Sequence, residues 1–178
     1  MTASTVAAAS ARHIVTGSPL GELTIVRDRN GLTGLYFPGH WTRPDRSSFG
    51  PRVDPAGDDG FDEVITQLRE YFAGQRGEFD LPLRPAGSDL ARQVWRLLAE
   101  IPCGQTTTYG ELARQVGQGI SAQETGALIG HNPLSILIPC HRVVGSTGKL
   151  TGYAGGLERK RRLLELEQAI PARTAALW

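Results

Sequence analysis

The sequence predicts a mixed α/β chain in two parts. The N-terminal part is an antiparallel hairpin with one helix, and the C-terminal part is mostly helical. Three observations carry this. Two apolar runs, Leu23 to Val26 and Leu32 to Phe37, flank Arg29-Asn30-Gly31, and Asn-Gly between such runs signals a hairpin. Apolar residues then recur at helical spacing behind capping residues. A segment with two prolines and a glycine, 81–87, separates the halves as a linker.

Each element has its own local reason. Met1 to Ala11 is small and polar, without a basic region and apolar core, and reads as a disordered tail rather than a signal peptide. After the hairpin, residues 38–60 are rich in Pro, Gly, Asp and Ser and carry Arg43, Arg46 and Arg52. This reads as a solvated loop, with phosphate contact as the sharper alternative. Phe61, Val64, Ile65, Leu68, Tyr71 and Phe72 follow helical spacing and read as core, and Gly74 ends the run. The linker sets domains at 12–84 and 85–170.

In the second half, Ser88 or Asp89 caps a helix with Leu90, Val94, Leu97, Leu98 and Ile101 on one face. Thr108 with Glu111, and Ser121 with Glu124, are capping-box patterns. They open helices at about 109–116 and 122–130, joined by Gly117-Gln118-Gly119-Ile120, a helix-turn-helix outline. Leu134-Ser135-Ile136-Leu137-Ile138 reads as a short buried strand that Pro139 ends. A charged helix follows from Leu157 to Glu167, and 171–178 reads as a tail.

Composition excludes several classes. The 178 residues are 40% hydrophobic and 21% charged, ordinary for a soluble globular protein. With a net charge of +1, any nucleic-acid contact must use a local patch. Two cysteines, Cys103 and Cys140, make no disulfide framework and fit a reducing, cytoplasmic location. The four histidines show no zinc spacing, so no metal is expected. No apolar run is long enough to span a membrane.

The chemistry concentrates at Ile138-Pro139-Cys140-His141-Arg142-Val143. A thiol is a strong nucleophile only as thiolate, and a neighbouring base or cation lowers its pKa. Taken alone, a cysteine between Pro and His is more often buried and inert. Cys140 is the candidate nucleophile and His141 the candidate base.

Residues 88–167 resemble the O6-alkylguanine-DNA alkyltransferases, the methylated-DNA–protein-cysteine methyltransferases. The matching blocks run in order: Val94-Trp95, Ile101-Pro102, Thr108-Tyr109-Gly110-Glu111-Leu112-Ala113 and Gly130-His131-Asn132-Pro133. They continue through the Pro-Cys-His-Arg-Val core, Gly152-Tyr153-Ala154-Gly155-Gly156, and Lys160, Leu163, Leu164 and Glu167. The first 80 residues match more loosely.

The resemblance implies a fold and an activity. The fold is an N-terminal α/β domain with a small antiparallel sheet, followed by a winged helix-turn-helix-like domain. The activity is a single, irreversible transfer of an alkyl group from O6 of guanine in DNA to Cys140, with O4-alkylthymine as a second candidate substrate. No cofactor is implied, and the expected state is a monomer on double-stranded DNA, entered from the minor groove without sequence specificity. In that family the histidine reaches the thiol through a water.

The resemblance also assigns residues. Glu167, otherwise an exposed helix-end glutamate, becomes the carboxylate behind His141. Asn132, otherwise a helix-ending residue, braces the cysteine loop. Tyr109, otherwise a half-buried aromatic, faces the flipped guanine and passes a proton to its ring. The carbonyls of Cys140 and Val143 accept from the guanine amino group. Tyr153 and Ala154 line the O6 side. Lys160 lies near the pocket, although solvent exposure is its plainer reading. Thr108, Ser121, Gln123 and Arg142 fall on the side expected to meet DNA.

One position departs from the pattern. The family usually has an arginine near the start of the second helix, which enters the duplex where the base left. Here Gln123 stands there, followed by Glu124. Gln lacks the planar charge of guanidinium. Glu124 either repels a phosphate or folds back on Ser121 as a capping box. Either flipping is weaker here, or the chain is an engineered or natural variant, or the substrate is not duplex DNA. A binding module that only flags lesions is disfavoured by the presence of Cys140, and a cysteine hydrolase by the lack of an oxyanion site.

Overall fold

The computed structural model describes residues 11–57 and 60–173. The expected tails lie outside the described residues except for Ala11 and Pro171 to Arg173. Three antiparallel strands, β1 (Arg12–Ser18), β2 (Gly21–Asp28) and β3 (Gly31–Tyr36), form one sheet in sequential order. The hairpin expected from Asn30-Gly31 joins β2 to β3. Asp28 closes it, its carboxylate accepting from the N–H groups of Asn30 (2.7 Å) and Gly31 (3.0 Å). β1 was not legible in the sequence: only Ile14 of its seven residues is buried, so it has little apolar alternation.

Helix α1 (Asp62–Phe72) packs on the sheet through Val64, Leu68 and Tyr71. Between β3 and α1 the chain makes two single 3-10 turns, at Arg46–Phe49 and Pro55–Gly57, within the expected loop. Helix α2 (Asp89–Ala99) is capped by Ser88, whose side chain accepts from the Ala91 N–H. Such a cap is worth about 1 kcal/mol. A two-residue strand β4 (Thr107–Thr108) leads into α3 (Tyr109–Val116), and α4 (Ala122–Gly130) follows. These ranges match the helix-turn-helix outline. Strand β4 pairs in parallel with β5 (Val143–Val144), and α5 (Leu157–Leu166) closes the fold.

The apolar core runs through both halves. Ile14, Leu23, Leu35 and Phe61 share one cluster with Val94, Leu98, Leu112 and Leu163. The outer edge of β3 also reaches the second half directly. Leu35 donates to the Pro133 carbonyl (2.8 Å) and accepts from the Ser135 N–H (3.1 Å). The N-terminal sheet thereby braces the segment leading to Cys140.

That segment is not the strand the sequence suggested. Only Leu134 makes a bridge, and 135–138 form a buried turn. The Leu137 N–H bonds back to the Ser135 carbonyl (2.8 Å), and Ile136 between them has φ +71°. A β-branched residue there is strained by of order 1–3 kcal/mol. A second three-residue turn, centred on Pro139 at φ −79°, ψ 63°, sets the Cys140 N–H on the Ile138 carbonyl. An apolar run without alternation marks burial, and burial alone does not distinguish a strand from a packed turn.

Candidate active site

Cys140 opens a single 3-10 turn, Cys140–Arg142, at the floor of a cleft of about 370 Å³. Asn132 holds this floor from beneath. Its side-chain N–H donates to the Ile138 carbonyl (2.9 Å), and its carbonyl oxygen accepts from the Leu134 N–H (3.0 Å). The bracing role expected of Asn132 therefore has a geometric basis, and it fixes the strained turn. Burial pushes the Cys140 thiol up, against the pull of the Asn132 amide and the Lys160 ammonium. Burial thus favours the neutral form of the resting thiol.

His141 is fully buried beside it and points away from solvent. Its Nε2 lies 2.8 Å from Glu167 Oε1. An ionised carboxylate only accepts, so the hydrogen sits on Nε2 and Nδ1 carries the free lone pair. Nδ1 is buried and has no protein hydrogen-bond partner among the described residues. Burial lowers the His141 pKa, the Glu167 bond opposing it, so the imidazole is neutral and basic at Nδ1.

Glu167, one residue past α5, is the hub. It accepts from Tyr71 Oη (2.7 Å), His141 Nε2 (2.8 Å), Arg142 Nε (2.9 Å) and an Arg142 terminal nitrogen (2.9 Å). Burial alone raises its pKa, but these donors together hold the carboxyl well below the usual range. Here the structure corrects one expectation. Arg142 does not face DNA: it turns inward, makes a two-pronged pair with Glu167 and donates to the Ile101 carbonyl (2.6 Å). A buried carboxylate requires that charge partner. Tyr71, on α1, was read only as core, and nothing in the sequence links it to a glutamate 96 positions away.

The walls of the cleft come from both helices of the helix-turn-helix and from the 151–154 loop. Tyr109, Tyr153 and Ala154 line it, as expected, together with Gln123, Gly126, Ile129, Thr151 and Gly152. Tyr109 Oη donates to the Thr151 carbonyl (3.0 Å), and burial raises its pKa, so the phenol keeps its proton. Lys160 is not solvent-exposed. It is buried behind this wall, with Nζ on the carbonyls of Thr151 (2.7 Å) and Gly152 (3.2 Å). Burial lowers its pKa to about 8. Val143 is fully buried beneath the floor, where its N–H donates to the Cys140 carbonyl.

Thr108 and Ser121 act as helix caps, on α3 and α4. Ser121 and Glu124 form the full reciprocal capping box, so Glu124 folds back onto its own helix. The Thr108–Glu111 pattern is half realised: Thr108 accepts from the Glu111 N–H, while the Glu111 carboxylate pairs with Arg114. Trp41, from the loop after β3, also lines the cleft and was missed by sequence reasoning. No group of three or more His, Cys, Asp or Glu side chains among the described residues is placed to hold a metal.

A thiol at the base of a cleft, backed by a buried imidazole–carboxylate pair and flanked by a helix-turn-helix, defines a class: a cysteine acceptor presented beside a nucleic-acid-type surface. Family comparisons narrow that class. The DNA-binding domain of 6-O-methylguanine DNA methyltransferase matches residues 89–169, and the ribonuclease-like domain of the same protein matches residues 12–85. The chain belongs to the 6-O-methylguanine DNA methyltransferase family. A methylated-DNA–protein-cysteine methyltransferase of Mycobacterium bovis is 45% identical over 152 residues, 85% of this chain and 89% of that one. One from Methanosarcina mazei is 40% identical over 156 residues, 88% and 96% of the two chains. The crystal structure of Mycobacterium tuberculosis OGT in complex with DNA superposes with a TM-score of 0.78 at 42% identity, covering 89% of this chain and 93% of that one.

Proposed function

We propose that this protein repairs DNA by accepting, once per molecule, the alkyl group of O6-alkylguanine on Cys140. The observation that carries the reading is the placement of Cys140 at the floor of the cleft, backed by the buried His141–Glu167 pair (2.8 Å). In this scheme the lesion base leaves the duplex and enters the cleft, at a cost of a few kcal/mol. The thiol proton passes toward Nδ1 of His141, and Glu167 stabilises the imidazolium. Sulfur attacks the alkyl carbon, the carbon–oxygen bond breaks and O6 becomes a carbonyl oxygen. The Tyr109 phenol supplies the ring proton and regains one from the imidazolium side. The net result is a thioether and an ordinary guanine.

The carbonyl of Cys140 would receive the exocyclic amino group, and Tyr153 and Ala154 the O6 side; Val143, fully buried, does not line the cleft as the resemblance implied. The α3–α4 surface, with Gln123, Thr108 and Ser121, would meet the DNA backbone from the minor groove. No residue set suited to hydrolysing a thioether accompanies the cleft among the described residues, which supports a single reaction per molecule. A cytoplasmic location and a monomeric state complete this reading; among the described residues both cysteines are free and no helix is long and apolar enough to cross a membrane. Peptide mass spectrometry after incubation with duplex containing O6-methylguanine tests the reading. The added methyl should lie on Cys140 and be absent from a Cys140→Ser variant, and a methyl on any other residue contradicts it.

One observation favours a second reading. The side chain lining the cleft at the start of α4 is the uncharged Gln123, where the family's usual arginine would stand. An alkyl acceptor for a single-stranded or small-molecule donor would not need that arginine. Comparing duplex, single strand and free alkylated guanine as donors separates the two.

A further inference from the structure

The N-terminal half contributes one aromatic side chain to the mouth of the cleft. Trp41 is 58% exposed, and the other exposed large apolar side chain among the described residues, Leu157, lies at the start of α5. The indole is nonetheless fixed. Its Nε1 donates to the Gly130 carbonyl at the end of α4 (3.3 Å), and its backbone N–H donates to the Ala154 carbonyl (3.2 Å). The six-membered ring lies over Gly130 so closely that a Cβ there would sit 2.9 Å from Cζ2. Its far edge reaches to 3.9 Å from the equivalent position on Gly152. Trp41 therefore ties to two sides of the opening, its indole to α4 and its backbone to the 151–154 loop.

An indole tied to α4, on a residue more than half exposed beside an apolar cleft, is a preformed stacking surface. Aromatic rings gain from offset or edge-on contact beyond simple burial. A methyl group on the Cys140 sulfur adds one carbon, whereas a flat aromatic O6 substituent extends further along the cleft that Cys140 and Trp41 both line and has the matching face. We propose that Trp41 is a specificity-determining residue, the outer wall that receives bulky aromatic O6 substituents and favours them over methyl. The proposal rests on the alkyl-transfer reading above.

The test compares two single-stranded oligonucleotides of one sequence, carrying O6-methylguanine or O6-benzylguanine. Rates of Cys140 alkylation are measured by intact mass for the unmodified protein, Trp41→Ala and Trp41→Phe. The expected result is a loss of roughly three- to tenfold on the benzyl donor in Trp41→Ala, with less than a twofold change on the methyl donor. Trp41→Phe, which keeps an aromatic face but loses the Gly130 bond, should retain most of the benzyl rate. An equal loss on both donors would make Trp41 a structural strut and overturn the proposal. A gain on the benzyl donor would make the indole a barrier and also overturn it. If the unmodified protein accepts neither group on Cys140, the functional reading fails, and this inference fails with it.

Discussion

Replacing Glu167 with Gln should unlock the centre of the site. Glu167 gathers four donor contacts from Tyr71, His141 and Arg142, all buried. A glutamine keeps the shape but offers one acceptor oxygen and an NH2 that meets donors head-on. Arg142 would lose its charge partner and keep, for a buried charge, only the Ile101 (2.6 Å) and Gly77 (3.3 Å) carbonyls and at most the single amide oxygen. Breaking such a pair from one side costs about 3–5 kcal/mol. For a chain of this size that corresponds to about 6–20 °C in Tm. The pH response carries a second signature. The native carboxyl is held below its usual range, so its contribution is full above the unfolded value of about 4.3 and is lost as pH falls below it. Chemical denaturation at pH 7 and across the acid range should show Glu167→Gln less stable at pH 7 and less sensitive to acid. Tyr71→Phe, which keeps the carboxylate, should lose about 1.5–3 kcal/mol and keep the acid sensitivity. A Glu167→Gln protein within about 1 kcal/mol of the original, with an unchanged acid profile, would refute this account of the hub.

Further outcomes concern the thiol, the lysine and the DNA surface. Cys140→Ser should abolish alkyl uptake while Cys103→Ser leaves it intact, and a labelled Cys103 peptide would contradict the assignment. Lys160 titrates at about 8 in the fold against about 10.4 free, so stability should rise with pH between those values. Lys160→Met should flatten that rise in denaturation midpoints taken at pH 7, 9 and 10, and an equal slope in both proteins would contradict the buried placement. Gln123→Arg should speed methyl transfer from duplex DNA by roughly tenfold, since a stacked or charge-assisted guanidinium contact is worth on the order of 1–2 kcal/mol. Transfer from free O6-benzylguanine should barely change, and an equal gain on both donors would point to general stabilisation instead.

Local signals in the sequence translated well. The Asn30-Gly31 turn, the Ser88 and Ser121 caps and the α3–α4 outline depend on residues within a few positions of each other. The relation of Glu167 to His141 was visible only by resemblance, because 26 positions separate them. Long-range pairing hid the rest. Arg142 was placed toward DNA, while its actual partner is a buried carboxylate far along the chain. Tyr71 and Trp41 reach the site from the N-terminal half, where neither carries a local mark of function. Lys160 was placed near the pocket by resemblance alone, since a lysine is usually exposed, and two carbonyls behind the cleft wall hold its ammonium inside. The 134–138 run was read as a strand because its burial was visible and the Asn132-braced turn was not.

The central claim is a single alkyl transfer to Cys140, and stoichiometry tests it most directly. The protein is mixed with a many-fold excess of duplex containing O6-methylguanine, and restored guanine and intact protein mass are followed together. The account predicts that both plateau at one methyl per chain, carried by Cys140, with no further repair until fresh protein is added. Continued release of restored guanine past one equivalent, with the protein mass unchanged, would contradict it.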